Sequence, residues 1–337
     1  MTILVTGGAG YIGSHMVLAL ADAGEPVIVL DNLSTGDRSA IPSDTPLFVG
    51  ETGDESLVAS LILAHKVDAI IHFAASIVVP DSVRDPLGYY RNNTANSRSL
   101  MEAAVKCGVK HFIFSSTAAV YGNPTEIPVS EEAPTTPMSP YGTSKLMTEI
   151  MLHDVGAAHG LRHVILRYFN VAGADPQGRT GQSTPGATHL IKVAAEVANG
   201  LRPHIEVYGT DYDTPDGTCV RDYIHVSDLV SAHSAALVHL RDGARSITLN
   251  CGYGRGYSVL QVLESVKRKS GVNFPVRFVD RRPGDPAAIV AGAQRIRDVL
   301  GWQPAFDDLD TIVSHALAWE GRLLAKKQGP RSQAIPA

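Results

Sequence analysis

Tyr141 and Lys145 stand four residues apart in "SPYGTSKLMTEI", which runs from Ser139 to Ile150. Residues at i and i+4 share one helical face, so a phenol and an ammonium point the same way, one turn apart. A free phenol titrates near ~10 and is a poor base at neutral pH. A nearby cation stabilises the phenolate and lowers that value. The tyrosine can then take a proton from a substrate hydroxyl while a hydride leaves the same carbon. Lys145 supplies one charge and an oxidised nicotinamide ring a second; Lys145 can also hydrogen-bond the ribose of that cofactor. A lone Y-x-x-x-K is common on exposed helices. Here "FSSTAAVYG" (114–122) precedes it and provides Ser115, Ser116 and Thr117 at the end of a strand pattern. A hydroxyl there can share a hydrogen bond with the reacting oxygen.

The cofactor half of this chemistry has its own motif. "VTGGAGYIGSH" follows the first strand pattern and opens a helix, with Gly7, Gly10 and Gly13 in a G-x-x-G-x-x-G series. Glycines let the backbone turn sharply and approach a pyrophosphate, which the helix N-terminus holds through its N–H groups. Asp31 ends the second strand pattern, eighteen residues beyond Gly13. A carboxylate there accepts hydrogen bonds from the adenosine ribose and repels a 2′-phosphate, which favours NAD over NADP. The alternative is an ordinary strand–turn–helix with a surface aspartate.

These groups need a frame. Short apolar runs at 3–5, 27–31, 67–75, 110–116 and 162–170 alternate with helical patterns such as 92–108 and 141–160. Nearly continuous Val/Ile/Phe strands separated by helices indicate a parallel sheet covered on both faces. After about Asn170 the alternation fades; Gly, Pro and Thr become frequent through 173–188 and 209–218. The expected organisation is a first domain over 1–169, a smaller one over 170–325 with part of its chain returning to the first, and a frayed polar tail at 326–337.

Composition narrows the partners. The 337 residues are 44% apolar and 19% charged, with a formal net charge of −5. No basic run stands out, so neither nucleic acid nor an acidic membrane surface is an expected partner. Cys107, Cys219 and Cys251 are far apart, and thirteen histidines lack ligand spacing, so no metal is expected. No apolar run reaches the ~18 residues of a membrane span. The chain enters a strand pattern at Thr2–Thr6 without a signal peptide, and a cytoplasmic location is expected.

"TGGAGYIGSH", "LDNLSTG", "IIHFAA", "YYRNN", "FSSTAAVYG", "SPYGTSK", "LRYFNVAGA" and "GTCVRDYIHV" together resemble the UDP-glucose 4-epimerase family of the extended short-chain dehydrogenase/reductases, over roughly residues 1–320. The last segment is the most telling, because it lies outside the generic cofactor half. The resemblance implies an α/β, Rossmann-type doubly wound parallel sheet with a smaller C-terminal α/β substrate domain. It also implies a resident NAD and a UDP-hexose substrate, oxidised at C4 and reduced again on the other face. Tyr141 would be the base, Lys145 the tuner and Thr117 the hydroxyl partner. The cofactor would meet Gly7, Gly10, Tyr11, Ile12, Gly13, Asp31, Asn32, Glu51, Phe73, Ala74, Ala75, Asn92, Ser115 and Tyr168, besides Tyr141 and Lys145. The nucleotide sugar would meet Asn170, His189, Tyr208, Arg221, Tyr223, Arg282, Asp285 and Ile289, besides Thr117 and Tyr141. Guanidinium groups suit a diphosphate because they bind its oxygens in a bidentate manner. For Arg221 the alternative is an ion pair with Asp222; for Arg282 it is a solvated charge cluster.

The chain departs from the family pattern in places. Ile77 stands where some members carry a lysine, "FVGETGD" supplies Glu51 in place of a G-D acid, and His189 replaces one of a pair of asparagines. Ile289 stands where some members carry a tyrosine, and a smaller side chain there could admit an N-acetyl group at C2, extending the substrates to UDP-N-acetylhexosamines. A nucleotide-sugar 4,6-dehydratase is the nearest rival; members of that family carry an Asp-Glu pair after the threonine, where this chain has Ala118 and Ala119. A uronate epimerase or decarboxylase would need groups recognising a C6 carboxylate, and none is identified. A non-catalytic NAD sensor would not need the Tyr/Lys/Thr set. Apolar Leu100, Met101, Val105, Leu146, Ile150 and Met151 suggest a four-helix homodimer interface, with burial against the sheet as the alternative.

Overall fold

A computed structural model describes residues 1–282 and 284–328 of the chain. The first half alternates as its pattern predicts: β1 (Thr2–Thr6), α1 (Tyr11–Asp22), β2 (Val27–Asp31), β3 (Leu47–Val49), α2 (Glu55–His65), β4 (Val67–His72), α3 (Val79–Arg84), α4 (Pro86–Tyr89), α5 (Asn96–Lys106), β5 (His111–Thr117), α6 (Pro140–His159) and β6 (Arg162–Tyr168). The later chain adds β7 (Asn170–Ala172), α7 (Leu190–Ala198), β8 (Ile205–Tyr208), β9 (Val220–His225), α8 (Val226–Arg241), β10 (Ile247–Cys251), β11 (Gly256–Ser258), α9 (Val259–Ser270), β12 (Val276–Val279), β13 (Ala288–Ile289), α10 (Gln294–Leu300) and α11 (Leu309–Gln328).

Seven strands form one parallel sheet in the order β10-β6-β5-β4-β1-β2-β3. Side chains alternate across a strand, so each strand feeds both faces. Ile3, Val5, Val29, Ile71, Ile113 and Val164 join one core; Leu4, Ile28, Ile70, Phe112, Phe114 and Ile165 join the core on the other face. α1 and α8 pack together over the first face; α2, α5 and α6 cover the second. The strand order reverses between β1 and β4, and at such a switch point the loops beyond the carboxyl ends open a crevice.

α6 starts where Ser139 caps the Gly142 amide and Pro140 sits in the first turn, and it ends at Gly160 in the left-handed conformation. Its buried stripe, Tyr141, Ser144, Lys145, Thr148 and Leu152, follows helical spacing. The helix expected over 92–108 begins earlier, with α4, and passes through a π-helical turn at Tyr90–Ala95 before α5. Such turns are frequent at functional sites, because one extra residue re-aims the side chains.

The later chain is divided between two places. β10 pairs with β6 and so extends the first sheet, while β9 pairs with β7, β11 and β13, and β8 with β12. Residues 326–328, expected in a frayed tail, continue α11; residues 329–337 lie outside the described residues. Leu100 and Met101 are sealed in the subunit's own core, and Val105, Leu146 and Met151 are partly buried against it. Of the six residues expected at a dimer interface, Ile150 is the exposed one, and Met147 joins it at the surface. Among the described residues, no helix is long and apolar enough to cross a membrane, and no group of side chains has the arrangement of a metal site.

Candidate active site

β5 ends in three hydroxyls, and its pleat sorts them. Ser116 points to one face, where its hydroxyl meets Glu149, and Ser115 and Thr117 share the other. Glu149 and Arg167 form a buried bidentate pair with contacts of 2.6–3.1 Å, and Arg167 also donates to the Tyr121 hydroxyl at 3.1 Å. Tyr121 in turn donates to Asn250 Oδ1 at 2.7 Å. This network joins β5, α6, β6 and β10 on the face of β5 opposite Ser115 and Thr117.

Tyr141 is buried above Thr117. Burial pushes its phenol up to about 12, a hydrogen bond with Thr117 opposes that rise, and the Tyr89 phenol adds to it. Lys145 Nζ donates to the Ser115 carbonyl at 2.8 Å and lies 4.8 Å from the centre of the Phe114 ring. Burial lowers the Lys145 ammonium to about 7, against the attraction of Glu149. Among the protein's own groups, burial outweighs the Thr117 hydrogen bond and holds the Tyr141 phenol above its usual value. Tyr168 completes the cluster; burial raises its phenol too, Tyr141 reinforces that, and a hydrogen bond with Ser115 works against it.

The glycine turn lies at the carboxyl end of β1. A Cβ on Gly13 would stand 2.1 Å from the Gly7 carbonyl oxygen, and one on Gly7, at φ +69°, would stand 2.6 Å from the Ala74 amide nitrogen. Only hydrogen fits in either place. Gly10 is the N-cap of α1 and contributes no side-chain bond, so the amides of the first turn, Tyr11 to Gly13, are available to an anion. Asp31 accepts from the Ala9 amide at 2.9 Å and the Leu33 amide at 2.8 Å, which aims its carboxylate at the turn. Asn32 donates to Glu51 at 3.1 Å at the exposed end of β2 and β3. The Tyr11 hydroxyl donates to Gly173 O at 2.7 Å and ties α1 to the later chain, and Ile12 packs against the core.

Phe73, Ala74 and Ala75 run along the opposite wall. Asn92 donates to the Ser76 hydroxyl at 2.9 Å, while Asn93 bonds both the Ser76 amide (2.7 Å) and its carbonyl (2.9 Å) and donates to Ser144 on α6 (3.0 Å). Ile77 is exposed and offers no cation. The glycine cradle, the open helix terminus and the acid at the end of β2 together fit a dinucleotide. The Gly10 turn and α1 would hold the pyrophosphate, Asp31 the adenosine ribose, and Lys145 the nicotinamide ribose.

The remaining residues gather around β9. Arg221 is half-buried between Ile289 of β13 and Tyr257 of β11, and its guanidinium donates to the Val220 carbonyl at 2.9 Å. It does not pair with Asp222, whose carboxylate accepts the Tyr253, Gly254 and Ala291 amides at 2.9–3.2 Å. Arg282 pairs with Asp285 at 3.0 Å and lies 4.5 Å from the Tyr208 ring centre, so these three predicted residues meet at one exposed edge. Asn170 and Tyr223 are register partners, and with His189 they line a cavity of about 20 Å³, room for about one water. His189 bonds Gln182 at 2.8 Å, and burial lowers its pKa. Ile289 is buried among Ala118, Val120, Phe169 and Ala291.

Sequence reasoning missed Gln182, Asn93, Ser76, Ser144 and His233. Asn93 and Ser144 neighbour predicted residues and were within reach of a positional argument. His233 sits mid-helix in "SDLVSAHSAAL" and carries no local signal.

Residues 3–252 match the family model described as NAD dependent epimerase/dehydratase family. A UDP-glucose 4-epimerase of Azospirillum brasilense is 61% identical over 321 residues, covering 95% of this chain and 92% of that relative. A UDP-glucose 4-epimerase from Brucella ovis, solved in complex with NAD, superposes with a TM-score of 0.92 at 43% identity, covering 95% of this chain and 98% of that one. The UDP-Glc/GlcNAc 4-epimerase from Campylobacter jejuni gives 0.83 at 48% identity, with 95% and 99% covered. Both the motif-bearing half and the later chain are thus shared, and the chain belongs to the NAD dependent epimerase/dehydratase family, among relatives named UDP-glucose 4-epimerase.

Proposed function

We propose that the protein interconverts UDP-glucose and UDP-galactose by transient oxidation at C4 of the sugar, with NAD as its resident cofactor. The observation that carries this reading is the buried meeting of Tyr141, Thr117 and Lys145 beside a glycine cradle that fits a dinucleotide. NAD supplies, when bound, a positively charged hydride acceptor that also returns what it takes. Tyr141 removes the 4-hydroxyl proton and later gives it back. Thr117 shares its hydrogen bond with the same oxygen. Lys145 holds the ribose, and its charge helps to oppose the effect of burial on the phenol. Arg221 and Arg282 grip the diphosphate, and Tyr208, beside Arg282, borders the nucleotide. A firm grip on the nucleotide leaves the hexose free to turn and offer its other face. Residues 1–169 with α8 and β10 form the cofactor-holding unit, and the rest of the described later chain the nucleotide-sugar unit.

Conversion of UDP-galactose by the purified protein, with UDP-glucose oxidation as the coupled readout, tests the reading; absence of product with cofactor bound would overturn it. A second substrate class has support of its own. Ile289 shares a buried cluster with Ala118 and Ala291, and an isoleucine there is smaller than the tyrosine some members of the family carry. Turnover of UDP-N-acetylgalactosamine checks this, and no detectable turnover removes it. The protein works as a homodimer in the cytoplasm in this reading, paired through the exposed Met147 and Ile150 of α6. Sedimentation at micromolar concentration should give twice the chain mass, and a monomer would contradict it.

A further inference from the structure

His233 is buried beneath the active site, on α8, and contacts two residues of the cofactor wall. Its Nε2 lies 3.0 Å from the Ser115 hydroxyl, and its ring centre lies 4.9 Å from that of Phe73. Its Nδ1 lies 2.9 Å from the Leu229 carbonyl, one turn earlier on α8. A carbonyl oxygen only accepts, so Nδ1 carries the proton. Burial holds the imidazole neutral, with a pKa lowered to about 4, so Nε2 is bare. The Ser115 hydroxyl must therefore donate to Nε2. A serine hydroxyl has one proton, so on its remaining side Ser115 can only accept. The carbonyl of the same Ser115 accepts from Lys145.

We propose that His233 is a positioning residue: by accepting the hydrogen bond of the Ser115 hydroxyl it fixes the end of β5, whose Ser115 carbonyl receives the Lys145 ammonium. This rests on the NAD-dependent reading above and adds a polarity to it. The polarity is set by Leu229 O and passes through His233 to Ser115, a residue 118 positions away in the chain. A neutral hydrogen-bonded chain of this kind costs nothing to reorganise during turnover, because every proton already faces its partner.

The test uses the resting holoenzyme first. Nitrogen-15 NMR of imidazole-labelled protein, with His233 assigned by its absence in His233→Leu or, should that variant not fold, in His233→Gln, should show a protonated Nδ1 and a bare, hydrogen-bonded Nε2. Ser115→Ala should shift that Nε2 resonance. A proton on Nε2, or no shift with Ser115→Ala, overturns the proposal whether or not the protein is an epimerase. In turnover, His233→Leu and Ser115→Ala should each lower kcat roughly tenfold with KM for UDP-galactose within about twofold of wild type. The double variant should be no slower than either single one, since both remove the same relay. Independent, multiplying losses, or a loss confined to KM, would show that His233 only fills space.

Discussion

At the β5–α6 end of the crevice, Thr117, Tyr141 and Lys145 are buried and already bonded to the protein, and behind them Glu149, Arg167, Tyr121 and Asn250 leave little freedom. At the β8–β13 end, Arg282, Asp285 and Tyr208 meet in solvent, on a single exposed ion pair and one ring contact. The difference follows from what each end must do. Proton transfer needs fixed distances and a dry site, so the protein orders those groups before substrate arrives. A diphosphate brings its own charge and is gathered by long, mobile cations, whose exposed pairing costs little to exchange. In the proposed function the buried end therefore governs rate and the open end affinity.

The strongest break of that contrast is at the phenol. Tyr141→Phe should lower kcat by about 10²–10⁴-fold while NAD stays bound; turnover near wild type would remove Tyr141 from the chemistry. Next is the buried ion pair. Arg167→Met strands the Glu149 carboxylate and should cost about 3–5 kcal/mol in urea unfolding, whereas pairing it with Glu149→Gln should recover much of the loss. A cost near zero for the single change would mean that the pair does not organise this end.

A smaller effect should appear with pH at the junction of the two ends. Burial raises the Asp222 carboxyl to about 6, against three backbone amides and with Asp307 adding to the rise. A carboxyl whose folded pKa lies above its unfolded value binds its proton more tightly when folded, so its ionised form weakens the fold above about 6. Stability from this group therefore rises as pH falls from about 6 toward 4, by up to about 3 kcal/mol. Unfolding curves of Asp222→Asn should lack that slope; an unchanged slope would place its origin elsewhere. The smallest change is expected at the rim. Arg282→Ala should raise KM for UDP-galactose roughly tenfold and leave kcat alone, as for a charged hydrogen bond that substrate and transition state share. A fall in kcat would mean that the open end takes part in the chemistry after all.

Much of the arrangement at the β5–α6 end was legible because its signals are local. Tyr141 and Lys145 share a helical face by spacing, and Gly13 is demanded by a contact with Gly7 six residues away. Arg282 and Asp285 are three apart, and their pairing follows from proximity in the chain. His233 could not be read, since its partner lies 118 residues earlier. The fate of the six apolar residues on the long helices was also illegible: an apolar side chain faces a core or a partner equally well until the neighbouring elements are placed, and Leu100 and Met101 proved to face the core.

Spacing, glycine sterics and the pattern of apolar runs determined which groups are present, which of them share a face and that a parallel sheet carries them. The direction of each group's proton affinity was decided by tertiary structure alone. Sequence predicted a phenol made more acidic by its lysine and an oxidised nicotinamide; the fold adds burial, which raises the phenol, and turns the ammonium toward Ser115 O. Spacing sets distance along a helix, but hydration is lost only when distant segments close over a site, and desolvation is the largest influence on the Tyr141 phenol.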